Sequence, residues 1–472
     1  MMATAEQEAP APPNLERYAR AIKALPAAQA SGRVVEVVGL TIEAKGLVCE
    51  IGERVDITVR NGSTIPAEVV GFRSGHVLIM PLAEMAGIQP GSRVTATGAQ
   101  LRAPVGRALL GRVLDGLGQP IDGLGPLGTQ RTVPVVGNPP HPLHRKPVSE
   151  PLITGVRAID GLITVGKGQR IGIFSGSGVG KSTLLGCIAR SQNTDVTVIA
   201  LIGERGREVR EFVTNSLGPA GLARSVIVVS TSDQPALVRV RGAWLATAIA
   251  DSFRSEGMDV TFLMDSVTRV AMAQREIGLA IGEPPASKGY TPSVFALMPK
   301  LMERTGNSEH GTITGFYTVL VEGDDFNEPI SDAARSILDG HIMLTRELAA
   351  RNHFPAIDVL HSVSRVMPAV AAKAHLKDAG VLRQLLAAYE KARDLINIGA
   401  YVSGSDATID AAMRLMPDAL AFLQQDSEPT PFMESLRRLN ELATQPPPLN
   451  PDYKHATQIP APARAGLSKS AG

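Results

Sequence analysis

The residues whose types and spacing could do chemistry begin in a glycine-rich turn between Arg170 and Arg210. An apolar run ends at Phe174, glycines alternate through the turn, and Lys181 opens an apolar-periodic stretch typical of a helix. Glycine permits backbone conformations that let successive N–H groups point inward, and a helix N-terminus adds positive potential for an anion. The Lys181 ammonium would contact the β- and γ-phosphates of a nucleotide, and the Ser182 hydroxyl would bind Mg²⁺.

The turn departs from the usual phosphate-binding pattern at one position. Ser175 stands where a first glycine is usual, which affects only the start of the loop because the Gly-Lys-Ser core is intact. A glycine-rich turn can also be purely architectural, but the register of this core after a strand favours nucleotide binding. The residues expected to bind the nucleotide here are Ser175, Gly176, Ser177, Gly178, Val179, Gly180, Lys181, Ser182 and Thr183.

Two carboxylates follow apolar runs further along the chain. Asp265 closes VTFLMD, which is the pattern of an acid that holds Mg²⁺ through water, and Glu204 directly follows TVIALIG. ATP hydrolysis needs a group that orients the attacking water, and we expect Glu204 to be that general base. Simple pairing with a neighbouring arginine is the alternative for Glu204. An exposed residue after a strand is the alternative for Asp265.

Continuous apolar runs alternate with helical stretches beyond the turn. This alternation predicts an α/β fold with a parallel sheet covered on both faces, and ligands bind such a sheet at the carboxyl ends of its strands. The predicted strands are TVIALIG (197–203), SVIVVS (225–230), VTFLMD (260–265) and ITGFYTVLVEGDD (313–325). Both candidate carboxylates therefore lie at the binding edge of the sheet.

Composition divides the chain into five parts. They are a flexible N-terminal segment with an amphipathic helix (1–30), a small β-barrel (31–100), an α/β domain that includes a Gly- and Pro-rich crossover (101–375), a helical domain (376–446) and a flexible tail (447–472). Asn14 would cap the N-terminal helix. Two interpretations of that helix stay open, since it could pack on its own domain or dock a partner.

Charge and composition exclude several classes of protein. The 472 residues carry a formal net charge of +1 and only 4% are aromatic, so neither a basic footprint nor a stacking platform for nucleic acid is present. No run resembles a secretory signal or a transmembrane helix. We therefore expect a soluble, cytoplasmic protein that does not bind nucleic acid.

Cysteine and histidine add little chemistry. Cys49 and Cys187 are the two cysteines, and both are interpreted as buried thiols in a reducing compartment, with a disulfide between them as the alternative. His141 and His144 flank a proline at a spacing that could suit a metal, but no third ligand lies nearby in sequence. Surface or packing roles are the better interpretation.

Several longer motifs resemble one family of hexameric ATPases. The chain is similar over roughly residues 30 to 445 to the ATPases related to the catalytic subunits of rotary ATP synthases, and within them to the export ATPases of flagellar and type III secretion systems. The motifs that carry the resemblance are GERGREV (203–209), DSVTR (265–269), REIGLAIGEPPASKGYTPSVFA (275–296), VEGDDFNEPI (321–330) and PAIDVLHSVSR (355–365).

The resemblance implies a RecA-like central domain, ATP and Mg²⁺ as ligands, and roles for particular residues. It implies that Lys181 and Ser182 bind phosphate and Mg²⁺, that Glu204 is the catalytic carboxylate and that Asp265 is the Walker B acid. Arg205 and Arg269 match arginines near the γ-phosphate, and Arg365 matches an arginine finger that enters a neighbouring subunit's site. Phe354 matches the aromatic residue that stacks on adenine, and Phe422 resembles the second wall of that pocket, with core packing as its alternative.

Two departures from the synthase pattern refine the expectation. NIGAYVSGSD (397–406) replaces the acidic lever segment, so contact with a rotor of the synthase type is not implied. Noncatalytic synthase subunits carry glutamine where Glu204 stands, so the chain resembles the catalytic type.

The resemblance also implies partners and a setting. The implied partners are the other subunits of a homohexamer, a stator-like regulatory protein at the N-terminal helix, an export gate, export chaperones and cargo proteins. The implied location is the cytoplasmic face of a membrane-embedded apparatus, and peripheral association with the membrane is compatible with it. A flagellar apparatus is preferred to a virulence-type injectisome because VAMAQREIGLAIGEPP and the short N-terminal helix look more flagellar. The alternatives are a noncatalytic nucleotide-binding subunit and an RNA-translocating hexamer.

Overall fold

The computed structural model of the protein describes residues 15–16, 18–19, 30–191, 193–321 and 328–445. The predicted N-terminal helix lies mostly outside these residues. Its four described residues are helical, and two of them, Leu15 and Tyr18, expose most of their side chains. The predicted tail lies outside the described residues, as do the last four positions (322–325) of the predicted strand at 313–325.

A closed barrel of six strands follows, in the order β1-β2-β5-β4-β3-β6. The strands are β1 (Ser31–Val38), β2 (Thr41–Lys45), β3 (Glu53–Thr58), β4 (Thr64–Arg73), β5 (His76–Pro81) and β6 (Arg93–Gln100). Alternate residues such as Val55 and Ile57 fill the interior because strand side chains point to opposite faces in turn. Ser74 and Gly75 both have positive φ, as a two-residue hairpin turn requires. The predicted barrel is confirmed.

The Gly- and Pro-rich crossover is irregular, but short strands and side-chain contacts fix its position. Its short strands are β7 (Arg102–Pro104), β8 (Val113–Asp115), β9 (Thr132–Pro134), β10 (Pro151–Leu152) and β11 (Val165–Gly166). The Arg112 guanidinium donates to both carboxylate oxygens of Asp122 at 2.7 and 2.9 Å, and this contact holds the pKa of Asp122 well below its usual range. His144 contacts Glu309 at 3.2 Å, and among the described residues no group of three metal-ligating side chains forms.

The central sheet has nine strands, eight of them in the order β19-β18-β12-β17-β15-β13-β14-β8. The remaining strands of the chain are β12 (Arg170–Ser175), β13 (Val196–Ile202), β14 (Ser225–Ser230), β15 (Asp259–Asp265), β16 (Gly306–Asn307), β17 (Thr312–Leu320), β18 (Gly340–Leu344) and β19 (Ile357–Ser364). All neighbours along this order are parallel except β18 and β19, and β16 runs antiparallel to β17. The predicted parallel sheet is confirmed, and β8, β18 and β19 are strands that the sequence reading did not name.

Helices cover both faces of the sheet. They are α1 (Arg157–Leu162), α2 (Lys181–Arg190), α3 (Gly206–Glu211), α4 (Gly218–Ala223), α5 (Ala236–Ser255), α6 (Val267–Ala280), α7 (Pro292–Met302), α8 (Pro329–Ile337), α9 (Arg346–Ala350) and α10 (Met367–Val370). A π-helical turn, Phe212–Leu217, joins α3 to α4. Phe262 and Leu263 are adjacent and fully buried in β15, yet they belong to opposite cores, because both faces of the sheet are covered.

The described C-terminal part is helical, as predicted. It consists of α11 (Lys373–Asn397), α12 (Ala407–Leu423) and α13 (Phe432–Thr444), which pack on one another and on α1. The Arg157 side chain joins α1 to this part by donating to the carbonyl of Phe422 at 2.8 Å. Positions near residues 422 to 430 are therefore fixed relative to the sheet.

Both cysteines are free thiols, so the alternative of a disulfide is wrong. Cys187 is buried inside α2, but Cys49 lies in a barrel loop and is only partly buried, which corrects its interpretation as a buried thiol. Over the part of the chain that the structure describes, no helix combines the length and apolarity needed to cross a bilayer.

Candidate nucleotide-binding site

The predicted phosphate loop connects the end of β12 to the start of α2. Ser175 is the last residue of β12 rather than part of the turn, and its hydroxyl is buried without a hydrogen-bond partner. Gly178 and Gly180 adopt positive φ, which explains glycine at both positions. Gly180 directly precedes α2, so the first N–H groups of the helix face the turn. The fold thus presents the anion-binding end of α2 beside the loop.

A cleft of about 530 Å³ opens above this loop at the carboxyl edge of the sheet. It gathers nearly all of the predicted phosphate-binding and catalytic residues. The predicted residues that line it are Ser175, Gly176, Ser177, Gly178, Gly180, Lys181, Ser182, Thr183, Glu204, Arg205, Asp265 and Arg269. Val179 instead points into the apolar core next to α2. The structure therefore brings together, at one edge of the sheet, the residues that the strand-end argument placed there.

Lys181 lies between the two candidate carboxylates. Its ammonium donates to Asp265 Oδ1 at 2.5 Å and to Glu204 Oε1 at 3.3 Å. Thr318 on β17 donates to the same Asp265 oxygen at 2.7 Å, which fixes that carboxylate from the neighbouring strand. Burial works against the charge on Lys181, but the two carboxylates outweigh it and raise the pKa of its ammonium.

Glu204 has the electrostatic setting of a base that works near neutral pH. Burial raises the pKa of Glu204 to about 7, the nearby Asp265 carboxylate adds to the rise, and Lys181 opposes it. A hydrogen bond with the Glu208 carboxyl adds further to the rise and lowers the pKa of Glu208. Perturbed carboxylates of this kind are concentrated at catalytic sites.

The arginines that follow Glu204 do not neutralise it. Arg205 contacts Glu208 at 3.5 Å and Arg207 contacts Glu211 at 3.2 Å, so both pair with the next turn of chain. Arg269 enters the cleft from α6, and its side chain closely approaches Gly203. Its Nε is buried and has no hydrogen-bond partner. The alternative of simple Glu204–arginine pairing is therefore not what the structure shows.

A second, smaller pocket of about 340 Å³ adjoins the loop at Gly178, Gly180 and Thr183. Phe354 lines it, is 39% exposed, and closely approaches Gly180. This is where a flat base would extend from the phosphates.

Phe422 does not form the second wall of this pocket, which corrects its predicted position. It is 3% exposed and packs in the core, where its ring closely approaches Gly161 on α1. The residues opposite Phe354 are Gln425, Asp426 and Ser427, three to five positions further along the chain. The backbone N–H of Gln425 donates to the Phe354 carbonyl at 2.8 Å and ties the two walls together.

Arg365 lies at the edge of the sheet opposite the loop. It follows β19, which runs antiparallel to β18, and the last residue of β19, Ser364, pairs with the first residue of β18, Gly340. The loop follows the other end of β12, which lies parallel to β18. The structure therefore does not bring Arg365 to the cleft of its own chain, and the Arg365 Nη1 donates instead to the Leu338 carbonyl at 3.2 Å.

The cleft offers Mg²⁺ one serine hydroxyl and one aspartate carboxylate. Ser182 and Asp265 both line it, and the described residues form no protein cage of three or more metal-ligating side chains. Mg²⁺ in phosphoryl-transfer sites takes one or two protein oxygens and completes its shell with phosphates and water. These donors fit that mode of binding.

Arg346 and Gln425 are residues of the site that the sequence reading did not find. Arg346 lies two residues after the end of β18 and lines the larger cleft beside Gly176. The signal that could have found it is its place two residues after an apolar run, GHIML, at a strand end. Gln425 had no such signal, because its position depends on how the C-terminal helices pack on α1.

Comparison with known proteins agrees with this geometry. Residues 155–364 match the nucleotide-binding domain of the ATP synthase alpha/beta family, residues 34–98 match the beta-barrel domain of the same family, and residues 371–441 match the T3SS EscN ATPase C-terminal domain. The chain belongs to the ATP synthase alpha/beta family.

Individual relatives show which members of this family the chain resembles. The chain is 56% identical to the flagellum-specific ATP synthase of Bacillus subtilis over 87% of this chain and 94% of that protein. It is 49% identical to the type 3 secretion system ATPase of Xanthomonas euvesicatoria over 88% of this chain and 92% of that protein. The solved structure of the assembled ATPase EscN from enteropathogenic E. coli is similar at a TM-score of 0.83 and 44% identity, covering 87% of this chain and all of that one. EscN has also been solved in complex with its central stalk, EscO.

Proposed function

We propose that the protein is an ATPase that assembles as a homohexamer and energises protein export through a flagellar type III secretion apparatus. The single observation that carries the enzymatic part is the cluster of Lys181, Glu204 and Asp265 above the phosphate loop. Support for the flagellar assignment comes from the 56% identity to the flagellum-specific ATP synthase of Bacillus subtilis, against 49% to the type 3 secretion system ATPase of Xanthomonas euvesicatoria.

In the proposed reaction the chain's own groups position the phosphates and move a proton. The loop N–H groups and Lys181 bind the β- and γ-phosphates of ATP, and Glu204 accepts a proton from the water that attacks the γ-phosphorus. The bond from that phosphorus to the bridging oxygen breaks, and ADP and inorganic phosphate leave. Phe354 stacks on the base, and the 425–427 segment closes the other side of its pocket.

Mg²⁺ fits the hydroxyl of Ser182 and, through water, the carboxylate of Asp265. When bound it would supply positive charge at the phosphate oxygens. Asp265 is suited to this task because Thr318 holds its carboxylate in place at 2.7 Å.

Arginines complete the proposed site from two subunits. Arg205 and Arg269 lie in the cleft and are proposed to contact the γ-phosphate from the same chain. Arg365 is proposed to act in the site of a neighbouring subunit, because it lies at the opposite edge of its own sheet. The hexamer would then hold its active sites between subunits.

Partners and location follow from the proposed role in export. We propose a stalk or stator-like regulator that contacts the N-terminal helix, together with an export gate, chaperones and cargo proteins, at the cytoplasmic face of a membrane-embedded apparatus. Support for a stalk partner comes from EscN, which was solved with its central stalk.

The test of the proposed enzyme is the Glu204→Gln variant. Because glutamine cannot accept the proton, ATP turnover should fall roughly 10²- to 10⁴-fold while nucleotide binding is kept. Turnover is measured as phosphate release by the assembled protein, with Glu441→Gln, an exposed glutamate on α13 outside the cleft, as the matched control. Unchanged turnover in Glu204→Gln would favour a noncatalytic nucleotide-binding subunit. Stimulation of wild-type turnover by RNA would favour the RNA-translocating alternative.

A further inference from the structure

Arg346 places a guanidinium directly against the phosphate loop. It follows Thr345, the N-cap of α9, and the preceding residue, Leu344, pairs with Ser175 at the end of β12. A Cβ atom built on Gly176 would stand 2.9 Å from Arg346 Nε and 3.0 Å from its Nη2. Gly176 is not among the glycines with positive φ, so the local backbone does not require glycine there. The close approach of the guanidinium explains why this position is small.

No protein anion of the described chain neutralises this guanidinium. Glu347, the next residue along α9, pairs with Arg351 at 2.6 Å and with Arg393 at 3.4 Å, and no ion pair joins Arg346 to a described residue. Elsewhere in the cleft, Arg205 has Glu208 as its partner. A guanidinium presents a planar fork that matches the oxygens of a phosphate group. Arg346 therefore has the chemistry of an anion-binding group, and no carboxylate among the described residues is paired with it.

The two pockets define which phosphate it would meet. Gly178, Gly180 and Thr183 line both pockets, so a nucleotide whose base lies against Phe354 must cross this point before it enters the larger cleft. Gly176 and Arg346 line only the larger cleft, which also holds Lys181. They consequently lie toward the end of the nucleotide that is farthest from the base.

We infer that Arg346 binds the terminal phosphate of ATP as a further cation beside Lys181, in addition to the arginines proposed above, and that Gly176 is small in order to admit it. This inference rests on the proposed ATP site and adds a residue that separates substrate from product. ADP lacks the group that Arg346 contacts, so the contact contributes to the affinity for ATP and not to that for ADP.

The experiment compares two nucleotides in the Arg346→Ala variant. Binding of Mg-ADP and of the magnesium complex of an ATP analogue with a β,γ-imido bridge is measured by titration of the full-length protein. The analogue should bind roughly 10- to 100-fold more weakly than to wild type, as for loss of a charge-assisted hydrogen bond, while ADP affinity changes by less than about threefold. The affinity of Arg346→Lys for the analogue should lie between those of wild type and Arg346→Ala, because lysine keeps the positive charge but lacks the planar guanidinium fork.

Arg351→Ala is the matched control, since it removes an exposed arginine just beyond the same helix, outside the cleft. It should leave both affinities unchanged. Thermal unfolding of each variant confirms that the fold is kept. Equal weakening of both ligands by Arg346→Ala, or no weakening of the analogue, would overturn the inference.

Gly176→Ala gives an independent test of the same contact. The added methyl group displaces the guanidinium, so this variant should also weaken the analogue more than ADP. Added to Arg346→Ala, it should cause little further loss, because the contact is already gone. Full additivity of the two losses would count against the inference. A wild-type protein without ATP turnover would refute the proposed enzyme instead, and it would leave this difference in binding measurable.

Discussion

At the scale of single residues, the proposed activity depends on Glu204, a partly buried carboxylate whose proton is held more tightly than usual. Glu204 shares its surroundings with Asp265 and Lys181, and burial is the largest cause of its raised pKa. A base must be deprotonated to act, so the fraction of active enzyme rises as pH rises through the pKa. The same shift that makes Glu204 a stronger base at neutral pH makes it inactive in mild acid.

This gives a prediction for the pH profile of kcat/KM, which reports groups of the free enzyme. With the pKa of Glu204 at about 7, kcat/KM should rise with pH and level off above about 7. Below that point it should fall about tenfold for each unit of pH. Steady-state phosphate release from pH 5.5 to 9 is the measurement, with assembly checked at each pH.

Asp160→Asn is the control for that profile. Asp160 is a second carboxyl whose pKa is raised to about 7 by burial, and it lies in α1, outside the cleft. If Glu204 controls the inflection, Asp160→Asn keeps it in place. An inflection that disappears in Asp160→Asn would assign the titration to folding stability rather than to the base.

Sequence could predict the residues that lie at strand ends and missed those placed by packing. Glu204 and Asp265 each lie at the end of an apolar run, and Lys181 begins the helix after the loop that follows a third run, so the parallel sheet alone brings them to one edge. Arg346 reaches the cleft only because β18 lies beside β12, a pairing between distant parts of the sequence. Phe422 was misplaced because helical periodicity does not tell which face of α12 meets the base pocket and which meets α1.

At the scale of elements, a buried ion pair joins the barrel to the central domain. Arg241 on α5 donates from Nε to Glu68 Oε2 on β4 at 2.8 Å, and its Nη2 contacts the other carboxylate oxygen. Glu68 is only 2% exposed, so its charge depends on this partner. Breaking a buried pair by removing one side leaves an uncompensated charge, which costs more than the pair itself contributes.

Arg241→Ala should therefore destabilise the protein by about 3–5 kcal/mol. Trp244, the only tryptophan of the chain, lies one turn away on α5 and reports unfolding in urea by its fluorescence. Arg54→Ala removes one side of an exposed barrel pair with Asp56 and should change the free energy of unfolding by less than about 1 kcal/mol. Equal urea midpoints of unfolding for Arg241→Ala and Arg54→Ala would contradict the stabilising role given to the Arg241–Glu68 pair.

Predicted strands agree with the structure where burial is continuous. The run at 225–230 matches β14, and the run at 260–265 differs from β15 by one residue, since fully buried strands have no polar interruptions. β19 escaped notice because it lies at the sheet edge and alternates between buried and exposed residues. Short β8 has too few residues to show a period at all.

At the scale of the whole molecule, the proposed active site needs two chains. Subunits with Arg365→Ala keep an intact loop, and subunits with Lys181→Ala keep an intact finger, so mixing them should recreate complete sites. With random placement in a ring, about one quarter of the interfaces would be complete. Phosphate release by the mixture, well above that of either variant alone, is the expected result.

The matched control mixes Lys181→Ala with Glu204→Ala subunits. Both substitutions remove groups from the loop side of the interface, so no combination of these two chains restores a site. Co-assembly is verified in both mixtures by differently tagged subunits. Absence of rescue in the first mixture, with co-assembly confirmed, would contradict action of Arg365 between subunits.

The placement of Arg365 was beyond what local patterns in one chain could establish. Its resemblance to a finger residue suggested action on a neighbour, but the distance to its own loop depends on the direction of β19 and the order of eight strands. Neither follows from hydropathy. The structure supplies both, and together they support the proposed action of Arg365 in a neighbouring subunit's site.

The position of Arg365, at the sheet edge opposite its own phosphate loop, also has a consequence for where ATP is hydrolysed in a cell. A chain outside a ring has every group proposed to hold ATP, but not the arginine that comes from a neighbour. Unassembled chains would then bind ATP without hydrolysing it. The specific ATPase activity would therefore increase with protein concentration. Consumption would be confined to the place where rings are gathered, with no separate inhibitor needed elsewhere.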